Sequence, residues 1–552
     1  MPPVEVLKFG SSVLRSSQDL HVAVDEIYRR WRSGCRVIAV VSAFEGITDL
    51  LMDDVMNAIG TSCPEATAAY VATGEQRTAA LLLGALRTAG ISSRIIDPRD
   101  IRLLAEGSLT ESTPIDVDLA ALDRAWSASA VLVLPGFYGV DSEGRIALFG
   151  RGGSDLSALF LAAKLRAACY LAKDVLGVFD ADPASSTMAH RFSALSWETA
   201  IKVAGPLIQS KALRFAQQHG LTFEVGRPNE KTCTRVGHSQ DEWAPPATEH
   251  RALNVALVGC GTVGRGVYQS IRRYPQAFTL HDVVVRDVGR YADVEKITAD
   301  AAVIMAPSID VVIVCTTSSP QIAALMDAAL AAGKFVITAN KADIATYGQR
   351  LIGQSASAGG RLRYSAAVGG AMPALETLAT IRSPVREIRG IVNGTCGAVL
   401  EAWSAGGERQ DAIRAAQAAG FAEADPSRDL SGLDSADKLA LLTVAAFGRW
   451  ISPADIPTRG IDEIDGDPSG FKLVARATRA PTGIITASVA PERPHLNSFL
   501  GHARGPENRL EIELESGEII QLRGQGAGRW PTTASMMGDL HEVARDIGGL
   551  PL

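Results

Sequence analysis

Short apolar, β-branched runs alternate along this chain with longer Ala- and Leu-rich stretches of helical period. VEVLKF (4–9), RVIAVVS (36–42) and AVLVLPG (130–136) predict buried strands, as do LNVALVG (253–259), HDVVVR (281–286) and DVVIVC (310–315). LHVAVDEIYRRWR precedes RVIAVVS, and QIAALMDAALAAG follows DVVIVC, each with the spacing of an amphipathic or buried helix. Alternation of this kind implies βαβ units and mostly parallel sheets, an α/β fold class. The pattern lapses once. From Gly226 to Arg251 the chain is polar, carries prolines and shows no apolar period. Its later part, 237–251, reads as a linker between a front module, 1–236, and a back module of roughly 300 residues.

Composition narrows the class. Of 552 residues, 47% are hydrophobic and 21% charged, as in soluble globular proteins. A formal net charge of -7 argues against nucleic acid or an anionic membrane as the partner and leaves small molecules. The opening MPPVEVLKFG lacks a basic segment followed by a long apolar run, and no apolar run approaches the ~20 residues of a membrane span, so a cytoplasmic protein is expected. The 7 cysteines are scattered with no CxxC pair, which predicts thiols rather than a zinc ribbon or a disulfide framework.

The back module carries the denser chemistry. The strand LNVALV runs into Gly259-Cys-Gly261-Thr262-Val263-Gly264, and a helical stretch follows. This is the strand–GxGxxG–helix context of a dinucleotide site: a tight turn, close backbone approach to a pyrophosphate, and helix amides facing the phosphates. At the end of the next strand Arg286 suits the 2′-phosphate of NADP, whereas Asp287 keeps NAD open. Lys341, in FVITANKADI, follows a strand at the edge where open α/β sheets bind ligands. GFAEADPSRDLSGLDSADKLALL gathers Glu423, Asp425, Asp429, Asp434, Asp437 and Lys438 ahead of an apolar helix, with Asp434 and Lys438 one turn apart on one face. A carboxylate there can hold the amine in place, and others can bind a substrate ammonium. A solvated, acid-capped helix start is the plainer alternative.

The front module places three polar features at strand ends. Lys8 and Gly10 lie in VLKFGSSV, Arg151-Gly152-Gly153-Ser154-Asp155 opens a helix, and Asp174 follows ACYLA. A lysine, a glycine turn at a helix N-terminus and aspartates suit phosphoryl transfer, which needs charge neutralisation and alignment. Glycine turns joining strands to helices would look the same.

GCGTVG, VITANK, AAVGGAMP, GIVNGTCG, GFAEADPSRDLSGLD and GQGAGRWPTTASMMGDL, in this order, make the back module resemble homoserine dehydrogenase over essentially its whole length. The resemblance implies a Rossmann NAD(P)-binding domain (252–372), an α/β catalytic and dimerisation domain (373–500) and a C-terminal segment (501–552) that returns to the nucleotide-binding domain. It implies a homodimer or higher homo-oligomer that interconverts aspartate 4-semialdehyde and homoserine. Lys438 matches the proton donor, Lys341 the second lysine beside the nicotinamide, and Asp434 the residue that positions the lysine. Glu423 and Asp429 match the groups that hold the amino acid, and Thr317, Ser318 and Gly528 positions lining the cofactor. Carbonyls at Val368, Gly370 and Met372 match a monovalent-cation (Na or K) site. The family has a glutamate where this chain has Ser365, and NGTTN where it has NGTCG around Cys396.

KFGSSV, VVSAFEGITD, TGEQRTAALLLGAL, LPGFYG, GRGGSDLSA and KDVLGVFDADP make the front module similar to the aspartokinase catalytic domain of the amino-acid kinase family. That likeness implies ATP and Mg as cofactors, Lys8 on the transferring phosphate and Ser42 and Glu75 on aspartate. Arg151 to Asp155 would line the phosphates, with Asp174 near the nucleotide. The departures are heavier here. The phosphate loop is one residue shorter, Lys173 replaces a threonine, Ala184 an arginine and Leu207 a lysine. Each lost charged contact is worth about 1.5–3 kcal/mol, unless Lys173 or Lys211 substitutes. The regulatory domains usual between two such modules have no room in the linker. Three readings follow: a dehydrogenase fused to a working kinase, a dehydrogenase with an inert kinase-like scaffold, or a pair of sites repurposed for a related amino-acid semialdehyde.

Overall fold

The computed structural model describes residues 3–547 apart from 60–62, 187, 206, 239, 246–250, 358–360 and 527. The chain divides into two compact units, Met1–Thr88 with Ser92–Glu249, and His250–Leu552 with Ala89–Ile91.

The first unit is built on a nine-stranded sheet. Its strands are β1 (Val4–Phe9), β2 (Arg36–Val41), β3 (Ser93–Ile95), β4 (Val131–Pro135), β5 (Ala168–Ala172), β6 (Phe192–Ser196), β7 (Phe223–Gly226), β8 (Cys233–Gly237) and β9 (Glu242–Trp243). They lie in the order β9-β6-β8-β7-β5-β1-β2-β4-β3. β1 runs parallel to both β2 and β5, so the centre is covered on both faces and reads as unbroken apolar sequence. Helices α1 (Thr73–Thr88) and α2 (Gly153–Leu165) pack on it. The core joins Ile38, Val40, Leu132 and Leu134 of the strands to Leu156, Leu159 and Phe160 of α2. β9 pairs antiparallel with β6, so part of the span expected as linker is an edge strand. Its pattern is too short to show a period, and Trp243 is held by stacking on Phe192 with ring centroids 4.0 Å apart.

The second unit holds two sheets. β10 (Leu253–Val258), β11 (Phe278–Val284), β12 (Ile297–Thr298), β13 (Val311–Val314), β14 (Phe335–Thr338) and β15 (Leu362–Arg363) are all parallel, in the order β12-β11-β10-β13-β14-β15. This is the 3-2-1-4-5-6 order of the Rossmann fold, with its switch point between β10 and β13. Helices α3 (Thr262–Ile271) and α4 (Lys341–Ser357) follow β10 and β14. The second sheet is antiparallel: β16 (Val385–Ile391), β17 (Lys472–Arg479), β18 (Ile485–Glu492), β19 (Glu507–Leu514) and β20 (Ile519–Gln525), in the order β18-β17-β16-β19-β20. Helices α5 (Gly394–Ser404) and α6 (Leu433–Phe447) cover one face.

The C-terminal stretch behaves differently from the expected 501–552 segment. β19 and β20 belong to the antiparallel sheet, β19 pairing with β16. Only the last helix, α7 (Arg529–Ile547), rejoins the Rossmann sheet, where Met536, Leu540 and Val543 complete a core with Leu253, Val255 and Val267. Among the described residues no helix is long and apolar enough to cross a membrane.

Candidate active sites

In the second unit the glycine turn has the shape a dinucleotide needs. Gly259 sits at φ +91°, and a Cβ there would stand 2.5 Å from the Cys315 carbonyl. A Cβ on Gly264 would run into the Gly259 carbonyl, so α3 can lie this close to the turn only with glycine. Gly261 faces open space and caps α3 with no side-chain bond to the free amides. Those amides, from Thr262 to Gly264, are an anion cradle, and the residues fit a pyrophosphate. Arg286, just past β11, is exposed. Asp287 instead caps the next turn through the Gly289 amide at 3.2 Å and faces Arg290 at 3.8 Å. Thr317 and Ser318 are exposed beyond β13, and Ser318 donates to the Asn340 side chain. Gly528 immediately precedes α7.

Past β14, at the same strand-end edge of the parallel sheet, Lys341 joins a second lysine on one carboxylate. Lys341 opens α4 and Asp434 lies in the first turn of α6; Lys341 Nζ meets Asp434 Oδ1. Lys438, one turn on, meets the other oxygen at 2.7 Å and donates to the Val392 carbonyl at 2.7 Å. Asp434 and Lys438 are buried, whereas the Lys341 side chain is 41% exposed. Burial alone would raise the Asp434 carboxyl, but the two ammonium groups outweigh it and hold it well below the carboxylate range. Burial likewise disfavours the charged Lys341, and Asp434 overrides it, keeping the amine above its ordinary value. Asn393, which caps α5 through the Cys396 amide, donates its side-chain amide to Asp429 at 2.6 Å and to Asp434 at 2.8 Å. Burial and the nearby Asp434 push the Asp429 carboxyl up. The Cys396 thiol donates to the Asp429 carbonyl at 3.0 Å. Glu423 is exposed, and its carbonyl accepts from Gln417 at 3.0 Å.

The first unit builds a comparable arrangement. Lys8 on β1 and Lys173 just past β5 both reach Asp155 in the first turn of α2, at 2.7 and 3.1 Å, and all three are buried. The parallel pairing of β1 with β5 sets Lys8 opposite Leu171 and brings Lys173 to the same sheet edge. The Lys8 ammonium lies over Gly10, where a Cβ would stand 2.5 Å from it. Gly152 caps α2 at φ +74° with no side-chain bond. Ser42 and Ser154 hydroxyls meet at 2.7 Å, and Glu75 accepts the Ala43 amide at 3.0 Å with its other oxygen unpartnered. Arg151 and Asp174 are exposed, Asp174 facing Arg15 at 3.6 Å.

Residues 373–541 match the family model described as homoserine dehydrogenase, and 259–365 match its NAD-binding domain. The homoserine dehydrogenase of Bacillus subtilis is 31% identical over 321 residues, covering 54% of this chain and 74% of that protein. The chain belongs to the homoserine dehydrogenase family. The crystal structure of a homoserine dehydrogenase from Thiobacillus denitrificans superposes with a TM-score of 0.51 at 28% identity, over 53% of this chain and 73% of that one. Residues 3–222 match the amino acid kinase family. An aspartate kinase of Stutzerimonas stutzeri is 30% identical over 224 residues, covering 40% of this chain; the chain spans about half (54%) of that relative. This homoserine dehydrogenase family member is thus an enzyme that joins a nicotinamide-cofactor domain to an amino-acid-kinase domain.

Of the residues expected at the dehydrogenase site, Lys341, Asp434, Lys438 and Asp429 come together, and Glu423 is exposed. Sequence reasoning missed Asn393 and the Val392 carbonyl. An asparagine just ahead of a helix start is a recognisable cap, but nothing in the sequence showed that its amide bridges two carboxylates. In the kinase-like unit, Lys8, Asp155, Ser42, Ser154 and Glu75 gather at the edge of one sheet. Lys173 joins them. Lys211 does not: its ammonium is taken by Glu111 at 2.7 Å and by the Ser112 and Phe149 carbonyls at 2.8 and 2.9 Å.

Glu75 carries a measurable consequence. Burial pushes its carboxyl up from 4.5 to about 7. A carboxyl raised on folding costs stability as pH climbs through that window, and the full cost, on the order of 3 kcal/mol, is present above it. Glu75→Gln is therefore expected to gain stability relative to the parent chain between pH 5 and pH 8, by a few kcal/mol. Denaturation midpoints of both proteins at the two pH values check this.

Proposed function

We propose that the second unit reduces L-aspartate 4-semialdehyde to L-homoserine with NADPH, and that the first phosphorylates the side-chain carboxylate of L-aspartate with ATP. The Lys341–Asp434–Lys438 bridge, together with the glycine turn, supports the first half of this reading. A nicotinamide held at the glycine turn of residues 259–264 would supply the hydride. As negative charge gathers on the aldehyde oxygen, Lys341, the exposed member of the bridge, stabilises it, and Lys438 delivers the proton. Asp434 holds both amines in place, and Asn393 orients Asp434 against Asp429. Asp429 and Glu423 take the substrate ammonium. By the same family likeness, the carbonyls of Val368, Gly370 and Met372 would hold a monovalent cation.

The exposed Arg286 and the engaged Asp287 support NADPH over NADH. A charged contact to the 2′-phosphate is worth about 1.5–3 kcal/mol, so Arg286→Ala is expected to raise the KM for NADPH about tenfold to a hundredfold. The KM for NADH should stay within about threefold, since that cofactor has no group there. Initial rates with each cofactor decide it. A panel of amino-acid semialdehydes tests the substrate: a clear preference for one other than aspartate 4-semialdehyde would point to a repurposed enzyme.

The kinase half rests on Lys8, Asp155 and the glycine turn for phosphates, and on Glu75 with Ser42 for an amino-acid substrate. Hydroxylamine trapping of an acyl phosphate made from aspartate and ATP by the intact chain tests it.

A further inference from the structure

We propose that Lys173 is the second phosphate-binding cation of the first unit, working across Asp155 from Lys8. The inference rests on the kinase reading and names how that site meets its nucleotide. Where the aspartokinase pattern has a lysine, this chain has Leu207, which has no charge to offer. Two candidates could replace it. Lys211 has three ammonium donors, and Glu111 and two backbone carbonyls occupy all three. Among the described residues the Lys173 ammonium donates to Asp155 alone, at 3.1 Å, and so keeps donors for a ligand.

The charge balance points the same way. Lys8 and Lys173 are both buried, and one carboxylate serves both. Glu75 stands within electrostatic reach of Lys8, but its recorded bond goes to the Ala43 amide rather than to either ammonium. A buried ammonium left without full compensation is costly, and the site adjoins the uncapped start of α2, which also favours an anion. A polyphosphate supplies the missing negative charge. In the transfer, a carboxylate oxygen of aspartate attacks the γ-phosphorus of ATP, and the bond from that phosphorus to the β,γ-bridging oxygen breaks. ADP leaves with the electron pair. Lys8 and Lys173 neutralise the phosphoryl oxygens throughout.

The test uses the intact chain and its Lys173→Thr and Lys173→Arg variants. Binding of ATP and of inorganic tripolyphosphate is measured by calorimetry, and acyl phosphate by hydroxylamine trapping. NADPH oxidation with aspartate semialdehyde on the same samples reports folding of the second unit, and the melting profile reports the first. Lys173→Thr is expected to weaken tripolyphosphate and ATP binding about tenfold to a hundredfold and to cut acyl-phosphate formation at least about a hundredfold. Lys173→Arg, which keeps the charge, should recover most of the binding. Equal polyphosphate binding by the parent chain and Lys173→Thr overturns the inference, as does absence of binding to the parent chain. Lys173-dependent polyphosphate binding without acyl phosphate overturns the kinase reading and leaves the anion site standing.

Discussion

Lys438→Ala is expected to lower turnover of the semialdehyde about a thousandfold while leaving NADPH binding unchanged. Lys438 is buried, with one N–H on Asp434 and one on the Val392 carbonyl. Its position is fixed before substrate arrives, so the whole loss falls on the step in which the carbonyl oxygen takes a proton. General-acid groups of this kind contribute about 10²–10⁴ in rate. Removing it leaves Asp434 still paired with Lys341 and bonded by Asn393, so the fold around the site persists. Lys438→Arg is not a rescue, because a guanidinium does not give up its proton in a protein. Steady-state rates in both directions, with cofactor affinity measured by fluorescence, check the split. A variant within tenfold of the parent would assign the proton to another group.

Asp434→Asn is expected to damage both activity and stability. It removes the one carboxylate that two ammonium groups share in a buried setting. Breaking a buried ion pair by deleting one partner costs about 3–5 kcal/mol, which applies to the buried Lys438; solvent screens the loss at the partly exposed Lys341. The lysines then face each other with no carboxylate between them and lose their fixed positions, so turnover should fall about a hundredfold or more. The signs give a pH signature. A carboxyl held below its ordinary 3.8 contributes stability that is present above that value and is lost as pH falls through the depressed one. The raised Lys341 contributes stability that is present below 10.5 and lost above it. The stability gap between parent and variant is therefore widest between these limits and narrows beyond either. Denaturant titrations across that range test it, and a gap that does not change with pH would contradict the bridge.

Much of this was legible in the sequence because it rests on local pattern. The glycine turn between an apolar strand and a helix specified its own geometry, and the one-turn spacing of Asp434 and Lys438 fixed their common face. Lys341 was legible as a strand-end residue, but its meeting with Asp434 joins elements far apart in the chain, which periodicity does not show. Asn393 was illegible for the same reason. Glu423 was assigned by family likeness and lies exposed, outside the recorded contacts of the lysine bridge. The edge strand at Glu242–Trp243 and the allocation of β19 and β20 to the antiparallel sheet were missed because strand pairing depends on a distant partner, not on the strand itself.

Lys173 shows the same limit from the other side. By sequence alone it and Lys211 were equivalent substitutes for a lost lysine. The parallel register of β1 and β5 distinguishes them, bringing one to Asp155, while the other is consumed by Glu111 and backbone carbonyls. Both units thus solve one electrostatic problem alike, by holding two amines on a single buried aspartate.

The central claim is that the Lys341–Asp434–Lys438 bridge serves the reduction of an amino-acid aldehyde. Its most direct test is to incubate the intact protein with NADPH and L-aspartate 4-semialdehyde and to follow nicotinamide absorbance and product together. Equimolar loss of NADPH and appearance of homoserine is the expected result. A protein that binds NADPH yet leaves it unoxidised in the presence of the semialdehyde would contradict the account.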